Sequence, residues 1–401
     1  MTRSQLLQFA IGNDRFDQPL SIADGLRADF APGMHPAVSE LLQTFLGSPN
    51  LKMLIDRAVS QADHPTTYND YRSFCEDLNE VIQLAPGWHA EASFTGAGIN
   101  ALFKPIITTE AGRQLFRYTD FNRSMRLVME AYYQFLDSKA STANMTDRHE
   151  NAWFCAEARE TIGLEEYEHD PRQPHYGFHS WNEFFTRKFR SGSRPIAGER
   201  DETILVAPCE AKVHRIAHDL PLEERFWIKQ LPYSLRDVFG THTAYSERYS
   251  GGTLVQGFLE SNYYHRWHAP LSGVVRNVQR LDGSYYAAID HAGEEGLKQS
   301  LPYLAHTAAR AFVVLETEPY GLVTCLFIGM AEISTNVVTV RIGQQVQKGE
   351  EIGFFQYGGS SYCLFFESDC QIQFAVSAHE QLEDAPRVKL HTKLGELVST
   401  K

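Results

Sequence analysis

The stretch Phe354-Phe-Gln-Tyr-Gly-Gly-Ser-Ser-Tyr-Cys-Leu-Phe-Phe-Glu367 decides how the second half of the chain is read. Two apolar, β-prone runs flank Gly358-Gly359-Ser360-Ser361, so the pattern predicts strand, tight turn, strand. Glycine at 358 and 359 permits positive φ and lets another group come up against the main chain. Two hydroxyls follow at once. One reading is a plain hairpin with a Gly-Gly-Ser-Ser turn. The other makes Ser360 a reactive hydroxyl set against the carbonyl of Gly359. These letters leave both open, and the rest of the chain has to separate them.

A chain of 401 residues with 43% hydrophobic content has room for two globular domains with ample cores. Its formal charge of −13 opposes binding to nucleic acid or to anionic headgroups. No apolar run approaches the roughly 20 residues of a membrane span. The apolar part of the first dozen residues is too short for a signal peptide. Six scattered cysteines without a C-x-x-C pair point to reduced thiols in a cytoplasm. The histidines form no H-E-x-x-H pattern and no tract, so no metal site is predicted.

Residues 1–165 read as a helical domain. Val38, Leu41, Leu42 and Phe45 fall at helical spacing, as do Leu51, Leu54, Ile55 and Val59, then Tyr71, Phe74, Leu78 and Ile82, and Phe121, Met125, Val128, Tyr132 and Phe135. These stripes are core, not chemistry. Residues 137–150 are polar and read as a connector. The aromatic-basic segment Tyr176–Arg190 reads as one amphipathic helix at the domain junction. From 166 to 401 strand-like runs dominate: 203–206, 212–216, 253–259, 273–278, 311–315, 322–328, 337–342 and 351–357. Asp282-Gly283 and Pro319-Tyr-Gly321 supply hairpin turns. The predicted class is α+β, a helical first domain followed by a β-rich domain whose pattern resembles the barrel-sandwich of lipoyl and biotinyl carriers. A carrier needs an exposed lysine at its modified hairpin, where this chain has Gly359-Ser360.

Tyr264-His265-Arg266-Trp267-His268 follows a strand. On extended backbone His265 and His268 point to opposite faces, so only one can face a given site. A neutral imidazole is the side chain best suited to deprotonate a serine near neutral pH. Glu210, in Ala207-Pro-Cys-Glu210, lies in a turn, where it is either solvated or catalytic.

Five ordered blocks together carry a resemblance: Phe184-Phe185-Thr-Arg with Arg194-Pro-Ile196, Ala207-Pro208-x-Glu210, Tyr233-Ser-Leu235, Tyr264-His-Arg-x-His268-x-Pro270-x-x-Gly273, and Phe355-x-x-Gly358-Gly-Ser-Ser361 with Leu364-Phe365. The chain resembles the phosphatidylserine decarboxylase family of pyruvoyl enzymes. With its helical first part and Phe327-Ile-Gly-Met-Ala-Glu-Ile-Ser-Thr335 it is closer to the soluble branch that includes tryptophan decarboxylase. The resemblance implies that His268, supported by Glu210, takes the proton of Ser360, which attacks Gly359. The chain would then split there, leaving a pyruvoyl group at position 360 and two chains that stay associated. His265 would be the proton donor in turnover. Two departures bear on the acid: Glu210 replaces the family's aspartate, and Tyr263 stands where some members have an acid. Glu332 is therefore a second candidate, for that role or as partner of a substrate ammonium. Ser361 replaces a threonine, and Gly358 completes the turn.

The implied substrate is a soluble, aromatic, tryptophan-like L-amino acid. The alternative is phosphatidylserine, converted to phosphatidylethanolamine and reached through an amphipathic helix near Trp181–Phe189. A Ser-His-Glu hydrolase and a non-enzymatic binding module remain as readings from other classes; the stretch does not fit G-x-S-x-G.

Overall fold

The structure, a computed structural model, describes residues 33–88, 98–223, 234–286, 300–329, 335–356 and 360–398. The chain divides into two compact units, Met1–Glu165 with His169–Phe184, and Glu166–Glu168 with Phe185–Lys401.

The first unit is helical: α1 (Pro36–Gly47), α2 (Pro49–Gln61), α3 (Tyr71–Val81), α4 (Gly98–Phe103), α5 (Glu110–Leu115), α6 (Thr119–Leu136) and α7 (Ala156–Ile162). Local chemistry sets the starts. Proline occupies the first turn of α1 and α2, and Asp70 closes a capping box with Ser73 on α3. The apolar stripes meet in an aromatic core, with Phe45 edge-on to Phe74 and Phe121, and Phe116 edge-on to Phe103. The polar segment 137–150 is more than a connector. Ser141, Thr142 and Asn144 are buried there, with the Ser141 hydroxyl donating to Leu136 O and Asn144 Nδ2 to Ala85 O.

The segment expected as one helix over 176–190 is helical only in the five-residue α8 (Trp181–Phe185). Left-handed backbone at His175, Tyr176 and Gly177 stops it from extending backwards. Trp181 and Phe184 are buried against Trp153, at 5.7 and 5.3 Å between ring centroids. Arg187 is only 3% exposed and donates to Asn262 O. This segment therefore has no exposed apolar face for a bilayer.

The second unit carries β1 (Ile204–Val206), β2 (Ala211–Ala217), α9 (Leu235–Phe239), α10 (Thr243–Arg248), β3 (Thr253–Leu259), β4 (Arg266–His268), β5 (Gly273–Leu281), α11 (Leu301–Thr307), β6 (Arg310–Thr317), β7 (Gly321–Gly329), β8 (Thr335–Val338), β9 (Gln345–Val346), β10 (Glu351–Gln356), β11 (Ser360–Phe366), β12 (Gln371–Phe374), β13 (Arg387–Val388) and β14 (Lys393–Val398). Among the described residues these strands form an eight-stranded sheet, β13-β2-β3-β11-β7-β6-β5-β9, and two three-stranded sheets, β4-β10-β8 and β1-β14-β12, with no closed barrel. Pro319-Tyr-Gly321 is the turn between β6 and β7 as expected. Asp282-Gly283 is not a hairpin turn, because α11 stands between β5 and β6 although the two strands pair.

The defining stretch is not a hairpin. β10 pairs with β4 and β8, whereas β11 pairs with β3 and β7, so its two strands belong to different sheets. The physical reason lies in β11, where all seven residues are buried. Such a strand needs neighbours on both edges and cover on both faces. Residues 357–359, which join the two sheets, lie outside the described residues, and Gly358 and Gly359 with them.

Alternation assigns the faces of β11. Tyr362, Leu364 and Phe366 enter one apolar cluster with Phe327, Trp267 and Phe355. Phe365 points the other way, to Phe239 and Tyr249 beside α9 and α10. The cluster joins the large sheet to β4-β10-β8, with Trp267 stacked flat on Phe327 at 3.9 Å. Two glycines permit this closeness. A Cβ at Gly353 would collide with the Trp267 ring, and one at Gly257 with Tyr362.

Lys348 ties the second unit together. It is 3% exposed, and its Nζ donates to the carbonyls of Gly198 and Asp201, both at 2.6 Å, and Ile204 at 3.3 Å. Lys348→Met leaves those carbonyls without their donor. Urea unfolding should register a loss of about 3 kcal/mol; a change below about 0.5 kcal/mol would show that the clip contributes nothing.

Candidate active site

Ser360 opens β11 opposite Leu259 of β3 and Gly329 of β7. It is fully buried, and its Oγ has no hydrogen-bond partner among the described residues. By alternation its side chain shares the face of Tyr362, the face of the apolar cluster. Ser361 is equally buried and, among the described residues, equally without a partner, but it lies on the opposite face with Phe365. The two hydroxyls are therefore not equivalent.

His265 precedes β4 and continues its pairing with β10, its carbonyl accepting from Phe355 N at 2.9 Å. Its ring stacks on Phe185 at 4.1 Å and meets Phe355 edge-on at 6.4 Å. Nδ1 is 2.9 Å from Tyr263 O; a carbonyl only accepts, so the proton of that contact is on Nδ1. His265 thus shares the face of Trp267 and Phe355, the face turned toward the Ser360 side of the large sheet.

His268 points to the other face, as strand alternation requires. Its Nδ1 donates to Gly349 O at 2.8 Å, which leaves Nε2 as the acceptor for the Tyr264 hydroxyl at 2.9 Å. His391 crosses it nearly at right angles at 4.8 Å. Burial pushes the His268 imidazole down to about 3, so it is neutral with its basic lone pair on Nε2. The structure does not bring Glu210 to it. Glu210 is fully buried, and its carboxylate pairs with Arg194 through Oε1 and with Arg387 through Oε2. Arg194 also reaches Glu166 at 2.7 Å, which holds that carboxyl below its ordinary range. The Gly349 carbonyl fixes the His268 tautomer, a task expected of the acid. Glu332, the second candidate, lies outside the described residues.

The family profile described as phosphatidylserine decarboxylase matches residues 181–398, and a second profile for the same enzyme matches 35–162. The chain belongs to the phosphatidylserine decarboxylase family. It is a decarboxylase, a carboxy-lyase, of that family. It is 36% identical over 307 residues to decarboxylase iboD of Amanita muscaria, covering 70% of this chain and 86% of the relative. It is 29% identical over 332 residues to the L-tryptophan decarboxylase of Psilocybe cubensis, covering 76% of this chain and 74% of the relative. A phosphatidylserine decarboxylase proenzyme of Fusobacterium nucleatum is 30% identical over 209 residues, covering 52% of this chain and 65% of that protein.

Several residues around the decarboxylase's histidines escape a reading of the sequence. Tyr264 sits inside the Tyr-His-Arg block, yet spacing alone does not assign its hydroxyl to His268. Arg194 belongs to the Arg-Pro-Ile block, whose charge gave no hint of a buried pair. Arg387 and His391 arrive from the far end of the chain on the two-residue strand β13 and the turn after it, and no local pattern marks them.

Two predictions follow from these environments. His268 is held near 3 and His306 near 4, the latter also by burial, with Nε2 accepting from Ser234 N. Both rings titrate near 6.5 once unfolded, so the unfolded chain binds more protons between those values, and stability present above 6.5 is lost as pH falls. Going from pH 7.5 to 5 should cost about 2 kcal/mol per ring in urea unfolding, and His306→Gln should remove about half of that dependence. Glu210→Gln strips a buried charge from two arginines, and the same assay should show a loss of about 3 kcal/mol. A loss below about 1 kcal/mol would mean the pairs are energetically idle.

Proposed function

We propose that this protein is a pyruvoyl-dependent decarboxylase of a soluble, aromatic L-amino acid, tryptophan-like, which it converts to the amine and CO2 after cleaving itself between Gly359 and Ser360. Residues 166–401 are the catalytic domain in this reading, of the barrel-sandwich kind, and residues 1–165 the helical domain before it. The observation that carries the proposal is the state of Ser360: a fully buried hydroxyl without a partner among the described residues, at the point where the chain leaves one sheet for another. An unactivated serine is a poor nucleophile and needs a base and a fixed geometry. Pairing on both edges of β11 supplies the second, and the buried imidazoles supply the first.

In the proposed sequence His268, the base that the family resemblance implies, takes the Ser360 proton through Nε2. Because its ring rests on the face of β4 turned away from Ser360, this step requires Tyr264 to release Nε2 and the ring to swing to the Ser360 side. Oγ attacks the Gly359 carbonyl and the peptide bond becomes an ester. Elimination then breaks the ester, leaving a carboxylate on Gly359 and a dehydroalanine at 360. Its tautomer takes up one water and loses ammonia to leave the pyruvoyl group. A buried site fits that group, because no hydroxyl has to be kept solvated after conversion. The group's ketone, when present, supplies the electron sink for loss of CO2. His265, on the Ser360 side of its sheet, holds the proton returned to the substrate carbon. Glu210 acts at a distance, by keeping Arg194 and Arg387 neutralised next to Tyr263 and the loop of His391.

The names of the relatives support an amino-acid substrate: the Psilocybe protein is an L-tryptophan decarboxylase. The family's own description supports the second reading, phosphatidylserine. Against it stand the buried aromatic residues of α8 and the lack, among the described residues, of any helix long and apolar enough to cross a membrane. All six cysteines are unpaired, which suits a reducing cytoplasm.

Intact-mass spectrometry tests the self-cleavage. The small fragment, residues 360–401, should be lighter than its serine-started form by one ammonia. Ser360→Ala should leave one uncut and inactive chain. His268→Ala should slow cutting by about a hundredfold or more, whereas His265→Ala should cut and then turn over poorly. An active wild-type chain in one piece sinks the proposal, and equal loss of cutting in both histidine variants sinks the division of roles. Assays with aromatic amino acids beside phosphatidylserine vesicles decide the substrate class.

A further inference from the structure

The rows of paired residues on the two sheets single out one more side chain. Across the small sheet, His265, Phe355 and Asn336 form one row: Phe355 N donates to His265 O, and Phe355 pairs in register with Asn336. Cross-strand partners share a face. Phe355 belongs to the apolar cluster, so Asn336 faces the large sheet as well. Across the large sheet the corresponding row is Leu259, Ser360 and Gly329. The two rows meet at one carbonyl. Ala309 O accepts from Gly329 N at 2.9 Å and from Asn336 Nδ2 at 3.3 Å. The carboxamide is therefore anchored across β7 from Ser360, on the face that Ser360 shares.

Asn336 is 5% exposed, and its Oδ1 has no hydrogen-bond partner among the described residues. Among the described residues a buried acceptor is thus without a donor, and in the facing row the buried Ser360 hydroxyl is without an acceptor. Leaving either unpaired costs about 1–3 kcal/mol. A hydrogen bond between the two would recover that cost for both.

We propose that Asn336 is a positioning residue for Ser360 in the uncut chain. Its Nδ2 is anchored on Ala309 O, and its Oδ1 accepts the Ser360 hydroxyl hydrogen bond. That bond holds Oγ in one rotamer, with a lone pair left for the Gly359 carbonyl, until the base draws the proton away. The inference rests on the self-cleavage reading of the preceding subsection.

The test follows the rate of chain cutting in freshly refolded precursor by denaturing electrophoresis. Asn336→Ala and the similarly sized Asn336→Leu, which lack the acceptor, should cut at least about tenfold more slowly than wild type. Asn336→Asp keeps an acceptor and should cut within about threefold of wild type at pH 8. A buried carboxyl is raised toward neutrality, so the Asp variant should slow on acidification at a higher pH than wild type does. Near-wild-type cutting in either apolar variant overturns the proposal. So does an Asp variant as slow as Leu at every pH, which would mark a purely structural role. Should neither apolar variant fold, the pH profile of Asn336→Asp decides alone, and a profile superposable on wild type overturns the proposal. A wild-type chain that never cuts would instead remove the self-cleavage reading itself.

Discussion

The flat stack of Trp267 on Phe327, 3.9 Å between centroids and 5° from parallel, is the contact on which the rest of the second unit depends. It joins β4 of the small sheet to β7 of the large one without an intervening layer. Once those rings are in register, the neighbouring rows follow by strand geometry, because each row lies two residues along. The row of His265, Phe355 and Asn336 is then set beside the row of Leu259, Ser360 and Gly329. Gly353 is required for this stack, since any side chain there would displace the indole. The chemistry of the site is thus a consequence of how two apolar faces pack.

Much of this was legible beforehand, and what was not has a physical reason. The helices of the first unit announce themselves by spacing and caps, as Asp70 with Ser73 does for α3. The strands around Thr253–Leu259 and Leu322–Ile328 read clearly because burial on both faces demands mostly apolar runs, broken only by Gln256 with Gly257 and by Thr324. The stretch 354–367 misled, because strand-turn-strand spells the same letters whether the two strands pair with each other or part into separate sheets. Nothing local distinguishes the cases; the partners of β11 come from residues 253–259 and 321–329. Asp282-Gly283 misled for a related reason. β5 and β6 do pair, but α11 lies between them in sequence.

Glu210 illustrates a different limit. A carboxylate in a turn ahead of a histidine motif suggests a triad, and a sequence carries no sign of which cation will reach it first. Here two arginines do, one from the approach to β1 and one from β13. An imidazole set by a carbonyl differs from one set by a carboxylate. Gly349 O fixes the tautomer of His268 but adds no charge to stabilise the protonated ring, in agreement with its depressed titration. A ring of this kind holds a proton only briefly, which fits the proposal of a single self-cleavage better than repeated turnover.

The distribution of unsatisfied polar atoms points the same way. Native cores pair nearly all their buried donors and acceptors, and exceptions need a reason. Along the two facing rows and their neighbours, Ser360 Oγ, Asn336 Oδ1 and Trp267 Nε1 are all buried without a partner among the described residues, and Ser361 Oγ is buried likewise on the reverse face. At about 1–3 kcal/mol each, such groups are a substantial fraction of a domain's net stability. Packing alone would have been served better by apolar residues of the same size. Unpaired buried atoms also occur elsewhere among the described residues, such as Ser39 Oγ and Trp88 Nε1, so what distinguishes this group is its place along the two facing rows, where the proposed chemistry would supply the missing partners.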